Sequence, residues 1–243
     1  MRISRIYTPA VLSSGNTIEL DENAFNYAIR VLRLKPGDAL ILFNGSGGEY
    51  KAELVEIHKK CARAIIGQFS NKECESPLSI ILGQCISRGE KMDYTIQKAV
   101  ELGVSEIVPL FSERCGVKLN QARMEKRLRH WQNVIISACE QCGRNHIPVL
   151  HESLELRQWH QQCDISLKLV LDPTANNSLS TFAKPETDVA LLIGPEGGLT
   201  DAEINDAIHN GFKGIRLGPR ILRTETAGVA AISTMQHLWG DIN

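Results

Sequence analysis

Aromatic residues make up only 5% of the 243-residue chain, so its core has to rest on Leu, Ile, Val and Ala. No apolar run reaches the roughly 18–20 residues of a membrane span. The opening Met1-Arg2-Ile3-Ser4-Arg5-Ile6 has no apolar stretch of the secretory kind. The expectation is a cytoplasmic protein with no membrane partner. Seven cysteines, an odd number scattered along the chain, make no disulfide framework and suit a reducing compartment. No HExxH or HxxxH pair offers a zinc-binding helix, no GxSxG elbow presents a serine nucleophile, and no GxxxxGK[ST] loop cradles a polyphosphate. Cys139 and Cys142 form a lone CxxC at the end of a helical stretch, without the second pair or nearby histidines that zinc requires. A redox pair would sit at the start of a helix, so these two read as packing and no metal is expected. Gly45-Ser46-Gly47-Gly48 lacks the third glycine and the βαβ setting of a dinucleotide fingerprint and reads as a hairpin turn.

What is present is an ordinary globular balance, 43% hydrophobic and 23% charged, which excludes a disordered or fibrous chain. The net charge of −1 hides an uneven distribution. Residues 1–75 carry 10 Lys+Arg against 9 Asp+Glu, residues 76–150 carry 10 against 7, and residues 151–243 carry 7 against 12. The front of the chain is mildly basic and the rear acidic, which permits an anionic partner without requiring one.

Two patterns divide the chain. Up to about residue 70, short strands (Ile3–Tyr7, Ala39–Phe43, Glu49–Val55, Ala62–Ile66) alternate with Gly and Pro turns and one helix, Asp21–Leu32, capped by Asp21. This suggests a small β-barrel. The polar stretch Asn71–Pro77 marks the boundary, giving domains 1–72 and 73–243. Beyond it the pattern is α/β. Strands at Leu78–Ile86, Glu106–Phe111, Leu167–Leu171, Val189–Ile193 and Ile215–Leu217 are continuous apolar runs, as in a parallel sheet buried on both faces. Helices near Glu90–Leu102, Asn120–Gln141, Leu154–Cys163, Asp201–Asn210 and Glu225–Leu238 alternate with them. In such a domain ligands bind beyond the carboxyl ends of the strands.

The loops there are therefore the candidate site. Gly194-Pro195-Glu196-Gly197-Gly198 follows a strand directly and runs into Thr200-Asp201-Ala202-Glu203, a capping box. Its glycines serve either a tight turn or close approach of backbone to a ligand. With a carboxylate and no lysine, the loop suits a hydroxylated or cationic ligand better than a phosphate. The segment from Leu217 to Ala227 places Arg220 and Arg223 in a Gly-Pro loop, where two guanidiniums can hold an anion or stabilise negative charge. Thr224 is a plausible N-cap, and Glu225 in the first turn suits the helix dipole. Leu171-Asp172-Pro173 is a third strand exit. Arg88 and Arg114 stand in two further loops, Ser87–Met92 and Ser112–Val117, and Gly143 closes the long helix before Arg144.

These segments, with Glu140-Gln141-Cys142-Gly143-Arg144 and Val31-Leu32-Arg33-Leu34-Lys35-Pro36-Gly37-Asp38, occur in order along essentially the whole chain. Together the sequence resembles the bacterial 16S ribosomal RNA (uracil-N3)-methyltransferases of the SPOUT superfamily. The resemblance implies a parallel-sheet SPOUT domain with a trefoil knot, preceded by a PUA-like, RNA-binding β-barrel. It implies a homodimer with its cofactor pocket near the subunit interface, S-adenosylmethionine as cofactor, and as substrate a uridine of 16S rRNA in the assembled small subunit. The knot pocket would be built from Leu171, Pro173, Ile193, Gly194, Glu196, Gly197, Gly198, Leu217, Gly218, Ile221, Leu222, Arg223 and Thr224.

Methylation at N3 of uracil requires that the imide proton leave, or that the developing anion be stabilised, while the methyl group is held in line. On this reading Arg223 stabilises charge at a uracil carbonyl and Glu225 accepts the proton or orients the base. Arg88, Arg114 and Arg144 grip RNA phosphates, and Arg5, Arg30 and Arg33 do so from the barrel. Two other readings of the same residues stand beside it: a non-catalytic ribosome-assembly factor, and a nucleotide-binding enzyme, which the missing lysine disfavours.

Overall fold

The computed structural model describes residues 3–116 and 120–242, so Val117 of the Ser112–Val117 segment lies outside the described residues. The chain divides into two compact units, Met1–Glu75 with Ile136–Ile147, and Ser76–Ile135 with Pro148–Asn243.

In the first unit, β1 (Ser4–Tyr7), β2 (Thr17–Glu19), β3 (Ala39–Phe43), β4 (Glu49–Ile57) and β5 (Ala62–Ser70) form one sheet in the order β1-β3-β4-β5-β2. Only the β1/β3 pairing is parallel. The alternating pattern of β5 turns Ala62, Ala64 and Ile66 inward, where they pack with Ile6, Leu40, Leu42, Leu54 and Phe25. The helix expected over Asp21–Leu32 is two pieces. Asp21 caps α1 (Glu22–Phe25) by accepting from the Asn23 and Ala24 amides, and Asn26–Val31 then continues as a π-helix. The segment ends at Arg33, which has a left-handed φ of 57°. The residues 136–147 that pack with this unit are the last turns of a long helix and its exit, which local sequence pattern assigns to the second pattern of the chain.

In the second unit the order along the chain is β6 (Ser79–Cys85), α2 (Glu90–Glu101), β7 (Glu106–Phe111), α3 (Gln121–Cys142), β8 (Val149–Leu150), β9 (Leu154–Glu155), α4 (Leu156–Gln162), β10 (Leu167–Leu171), β11 (Asp188–Ile193), α5 (Asp201–His209), β12 (Phe212–Ile215) and α6 (Thr224–Trp239). The sheet runs β12-β10-β11-β6-β7-β8, with β9 also pairing β7, and every pairing is parallel. From Val189 to Ile193, β11 is buried throughout, as a strand covered on both faces must be. Strand β12 starts and ends earlier than the apolar run Ile215–Leu217 suggests. Phe212 is buried against Trp159, while Arg216 and Leu217 already belong to the loop. Gly83 is the flat spot on β6 on which Trp159 lies, since a Cβ there would meet the indole at 2.4 Å.

The sheet order decides where the site is. Strands β12, β10 and β11 are adjacent, so the loops leaving their carboxyl ends emerge side by side.

Candidate active site

A cavity of 530 Å³ opens at this edge, within the roughly 300–1,000 Å³ range of small-molecule sites. Three loops wall it: Leu171, Asp172 and Pro173 after β10; Ile193 to Leu199 after β11; and Leu217 with Arg220–Thr224 after β12. Lys91, Ile204, Ile215, Arg216 and Ala227 complete the lining. Of the residues assigned to the pocket by resemblance, only Gly218 does not line it among the described residues, and Glu225 also stands outside the lining.

Each loop is held by identifiable contacts. At Gly198 the φ of 68° requires the left-handed region, and a Cβ there would meet nothing within 4 Å, so this face of the loop is open space. The capping box forms as the sequence predicts: Thr200 Oγ1 accepts from the Glu203 amide at 3.2 Å, and Glu203 Oε2 accepts from the Thr200 amide at 2.8 Å. The Glu196 carboxylate turns toward β6's exit, accepting the Arg88 amide at 3.0 Å with the Lys91 ammonium 3.6 Å away. Burial works to raise the Glu196 pKa, but the Arg88 and Glu196 amides and Lys91 outweigh it and hold the carboxyl below its ordinary value. Asp172 accepts from the Thr174 amide and hydroxyl.

The expected N-cap at Thr224 is corrected. Arg223 occupies the cap position of α6 without a side-chain bond, and Thr224 is the first helical residue. The Thr224 hydroxyl turns inward, donating to Gly194 O at 2.7 Å and accepting from Gln84 Nε2 at 3.1 Å. Arg223 is exposed on the cavity wall, and its side chain makes no hydrogen bond or ion pair among the described residues. Glu225 has its Oε2 buried without a hydrogen-bond partner.

The six arginines expected to hold RNA do not behave alike. Arg5 and Arg144 are 8% and 5% exposed. Arg5 pairs with Glu49 and donates to Arg144 O and Asn145 Oδ1, while Arg144 forks onto Glu75 at 2.6–3.1 Å. Both are structural cations, and the assignment of either to phosphate is corrected: neither guanidinium faces solvent. Arg30, Arg33, Arg88 and Arg114 are exposed. Arg88 Nε donates to Gly116 O, and Arg114 Nη1 donates to Gly197 O, which ties the loop after β7 to the glycine loop. Burial pushes the Cys139 thiol up to about 12, as for a cysteine that packs rather than reacts. Among the described residues no group of three His, Cys, Asp or Glu side chains is arranged to hold a metal ion.

Sequence reasoning passed over Gln84 and Lys91. The signal for Gln84 is a single amide inside the largely apolar run Leu78–Ile86. Lys91 carries no such signal, since only the fold carries the start of α2 to the glycine loop.

The fold and cavity define a class. The family model of the RNA methyltransferase domain matches residues 74–236, and that of the RNA methyltransferase PUA domain matches residues 20–66. Ribosomal RNA small subunit methyltransferase E of Buchnera aphidicola (Schizaphis graminum) is 42% identical over 100% of this chain and 99% of its own length. A protein from Legionella pneumophila, solved with the cofactor SAM bound, is 43% identical with a TM-score of 0.97, covering 99% of this chain and 100% of that one. Ribosomal RNA small subunit methyltransferase E from Neisseria gonorrhoeae, bound to S-adenosyl methionine, is 41% identical with a TM-score of 0.93 over 100% of both chains. The chain belongs to the ribosomal RNA small subunit methyltransferase E family.

Proposed function

We propose that the protein is an S-adenosylmethionine-dependent methyltransferase that modifies N3 of one uridine in 16S rRNA. It works in the cytoplasm as a homodimer on the assembled small subunit, and the loops around the cavity thread as a trefoil knot. The observation that carries this reading is the cavity itself, walled by three backbone-rich loops in a chain whose full-length relatives hold this cofactor. Its residues fit the group. Leu171, Leu217 and Leu222 offer apolar faces for an adenine, the open side of Gly198 lets backbone approach, and Glu196 and Asp172 tolerate a sulfonium where they would repel a phosphate.

When bound, the cofactor supplies a methyl group made electrophilic by its sulfonium. This chain's residues do the rest. Glu225 accepts the N3 proton or orients the base from the first turn of α6, next in sequence to the lining residue Thr224. Arg223 holds the negative charge that spreads to the uracil carbonyls. A proton accepted by Glu225 passes on to water, which restores the carboxylate.

Arg30 and Arg33 hold RNA phosphate from the first unit, and Arg88 and Arg114 from the second. Support for the first pair comes from backbone irregularity. A π-helix and a left-handed, non-glycine residue carry adjacent exposed arginines, and such features persist where a function uses them. In an Arg30→Ala/Arg33→Ala variant the slope of log K against log salt for RNA binding is expected to flatten by about 1.4–1.8, the yield of two phosphate contacts. An unchanged slope removes both residues from the interface.

The decisive assay is methyl transfer from labelled cofactor to unmodified small subunits, followed by nucleoside analysis. A 3-methyluridine peak is expected. Cofactor binding with no label on subunits or free RNA would overturn the substrate, and no cofactor binding would favour a non-catalytic assembly factor.

A further inference from the structure

We infer that Gln84 is a positioning residue for the cofactor cavity, acting through a one-way hydrogen-bond relay from its side-chain amide to the Thr224 hydroxyl to the Gly194 carbonyl; this rests on the reading that the cavity holds S-adenosylmethionine. Gln84 lies near the end of β6, in register with Ile193 of β11 and Pro109 of β7. It is fully buried, and between it and Ser79 at the start of the strand stand only apolar residues and glycine. A buried amide is unfavourable unless its polar atoms are used. Here the nitrogen is used completely and the oxygen not at all. Nε2 donates to Cys85 O at 2.9 Å and to Thr224 Oγ1 at 3.1 Å, while Oε1 is buried without a partner.

The direction of the relay follows from proton counting. A hydroxyl has one proton to donate. Thr224 spends it on Gly194 O, 2.7 Å away, because a carbonyl can only accept. The remaining role of Thr224 Oγ1 toward residue 84 is acceptor, so residue 84 must present an N–H. Glutamine does so and methionine, of similar length, does not. The relay joins three pieces of chain that meet only in the fold: the end of β6, the first residue of the glycine loop and the first residue of α6. Thr224 and Gly194 both line the cavity, and Thr224 is flanked by Arg223 and Glu225.

The test is calorimetric titration of S-adenosylmethionine into the full-length protein, wild type first, with thermal melting of each ligand-free variant alongside. Thr224→Val, which has no hydroxyl, and Gln84→Met, which has no donor for the Thr224 hydroxyl, are each expected to raise the cofactor Kd about tenfold, the size of one ordinary interaction. Thr224→Ser keeps the hydroxyl and is expected to stay within about twofold of wild type by the same reasoning. RNA affinity is expected to be unchanged in all three. A purely structural role predicts a lower melting temperature with an unaltered Kd in the folded fraction, and that result overturns the proposal. Should Thr224→Val fail to fold, Gln84→Met against Thr224→Ser decides. Wild-type binding with equal binding by the variants defeats the relay alone, whereas absence of wild-type binding defeats the reading of the cavity and the relay with it.

Discussion

Arg223→Met is expected to lower kcat for methyl transfer by about two to three orders of magnitude, the usual consequence of removing one donor aimed at developing negative charge. Cofactor affinity should change little by comparison. Arg223 is exposed on the cavity wall and commits its guanidinium to nothing else among the described residues, so its loss leaves no buried partner stranded and no packing defect. Its backbone, in the cap position of α6, stays where any residue would place it. Deprotonation of the uracil imide spreads charge over two carbonyl oxygens, and a planar, permanently charged fork matches that distribution where an ammonium does not. Arg223→Lys is therefore expected to recover little of the rate. Single-turnover measurements at saturating cofactor separate the chemical step from RNA binding and product release. A variant whose single-turnover rate is intact, with a raised cofactor Kd, would make Arg223 a binding residue instead. Glu225→Gln is the companion experiment. A general base contributes about 10²–10⁴ in rate, and removing it also abolishes the acid limb of the pH profile. Full turnover and cofactor affinity in that variant would leave Glu225 as a first-turn acid of α6 and nothing more.

How far the site was legible follows from where its residues lie. Twelve of the thirteen pocket residues assigned by resemblance line the cavity because they sit in strand-exit loops, and sequence pattern locates such loops well. The strands β7 and β10 have the expected ends because their apolar runs are bounded by turns. What periodicity could not reach is contact between distant segments. It read Thr224 as an ordinary cap because a threonine before a helix looks the same whether its hydroxyl turns to its own backbone or to Gly194, 30 residues earlier. The π-helical continuation of α1 has the same apolar spacing over short range as an α-helix. The ending of β12 at Ile215 depends on the pairing of its last residue with Leu171 of β10, which no local pattern encodes. An arginine's function was the least legible feature of all, since charge in a sequence does not say whether it faces water.

Arg5 makes that last point testable. Read from the sequence, it is a barrel arginine for RNA; in the structure it is the centre of a buried polar cluster. Nη1 pairs with Glu49, Nη2 donates to Arg144 O at 3.0 Å and Asn145 Oδ1 at 2.7 Å, and the guanidinium lies 4.7 Å from the centre of the Phe43 ring. Arg5→Met is expected to destabilise the first unit by about 3–5 kcal/mol, because it leaves the Glu49 carboxylate buried without its cation. Glu140 is affected as well. Burial pushes its carboxyl up to about 7, against the Tyr7 amide and Arg5, which both lower it. Without Arg5 that carboxyl should rise further and hold its proton to higher pH. Hydrogen exchange of the amides in β1 and β3 measures the effect where it arises, since these strands pair Arg5 with Ile41. The double variant Arg5→Met/Glu49→Leu is expected to regain most of the loss, because replacing both members of a buried pair by apolar residues removes the stranded charge along with its partner. If Arg5→Met instead keeps its exchange protection and flattens the salt dependence of RNA binding by about one phosphate contact, the guanidinium leaves its cluster to meet the RNA, and the buried position is not the one that functions.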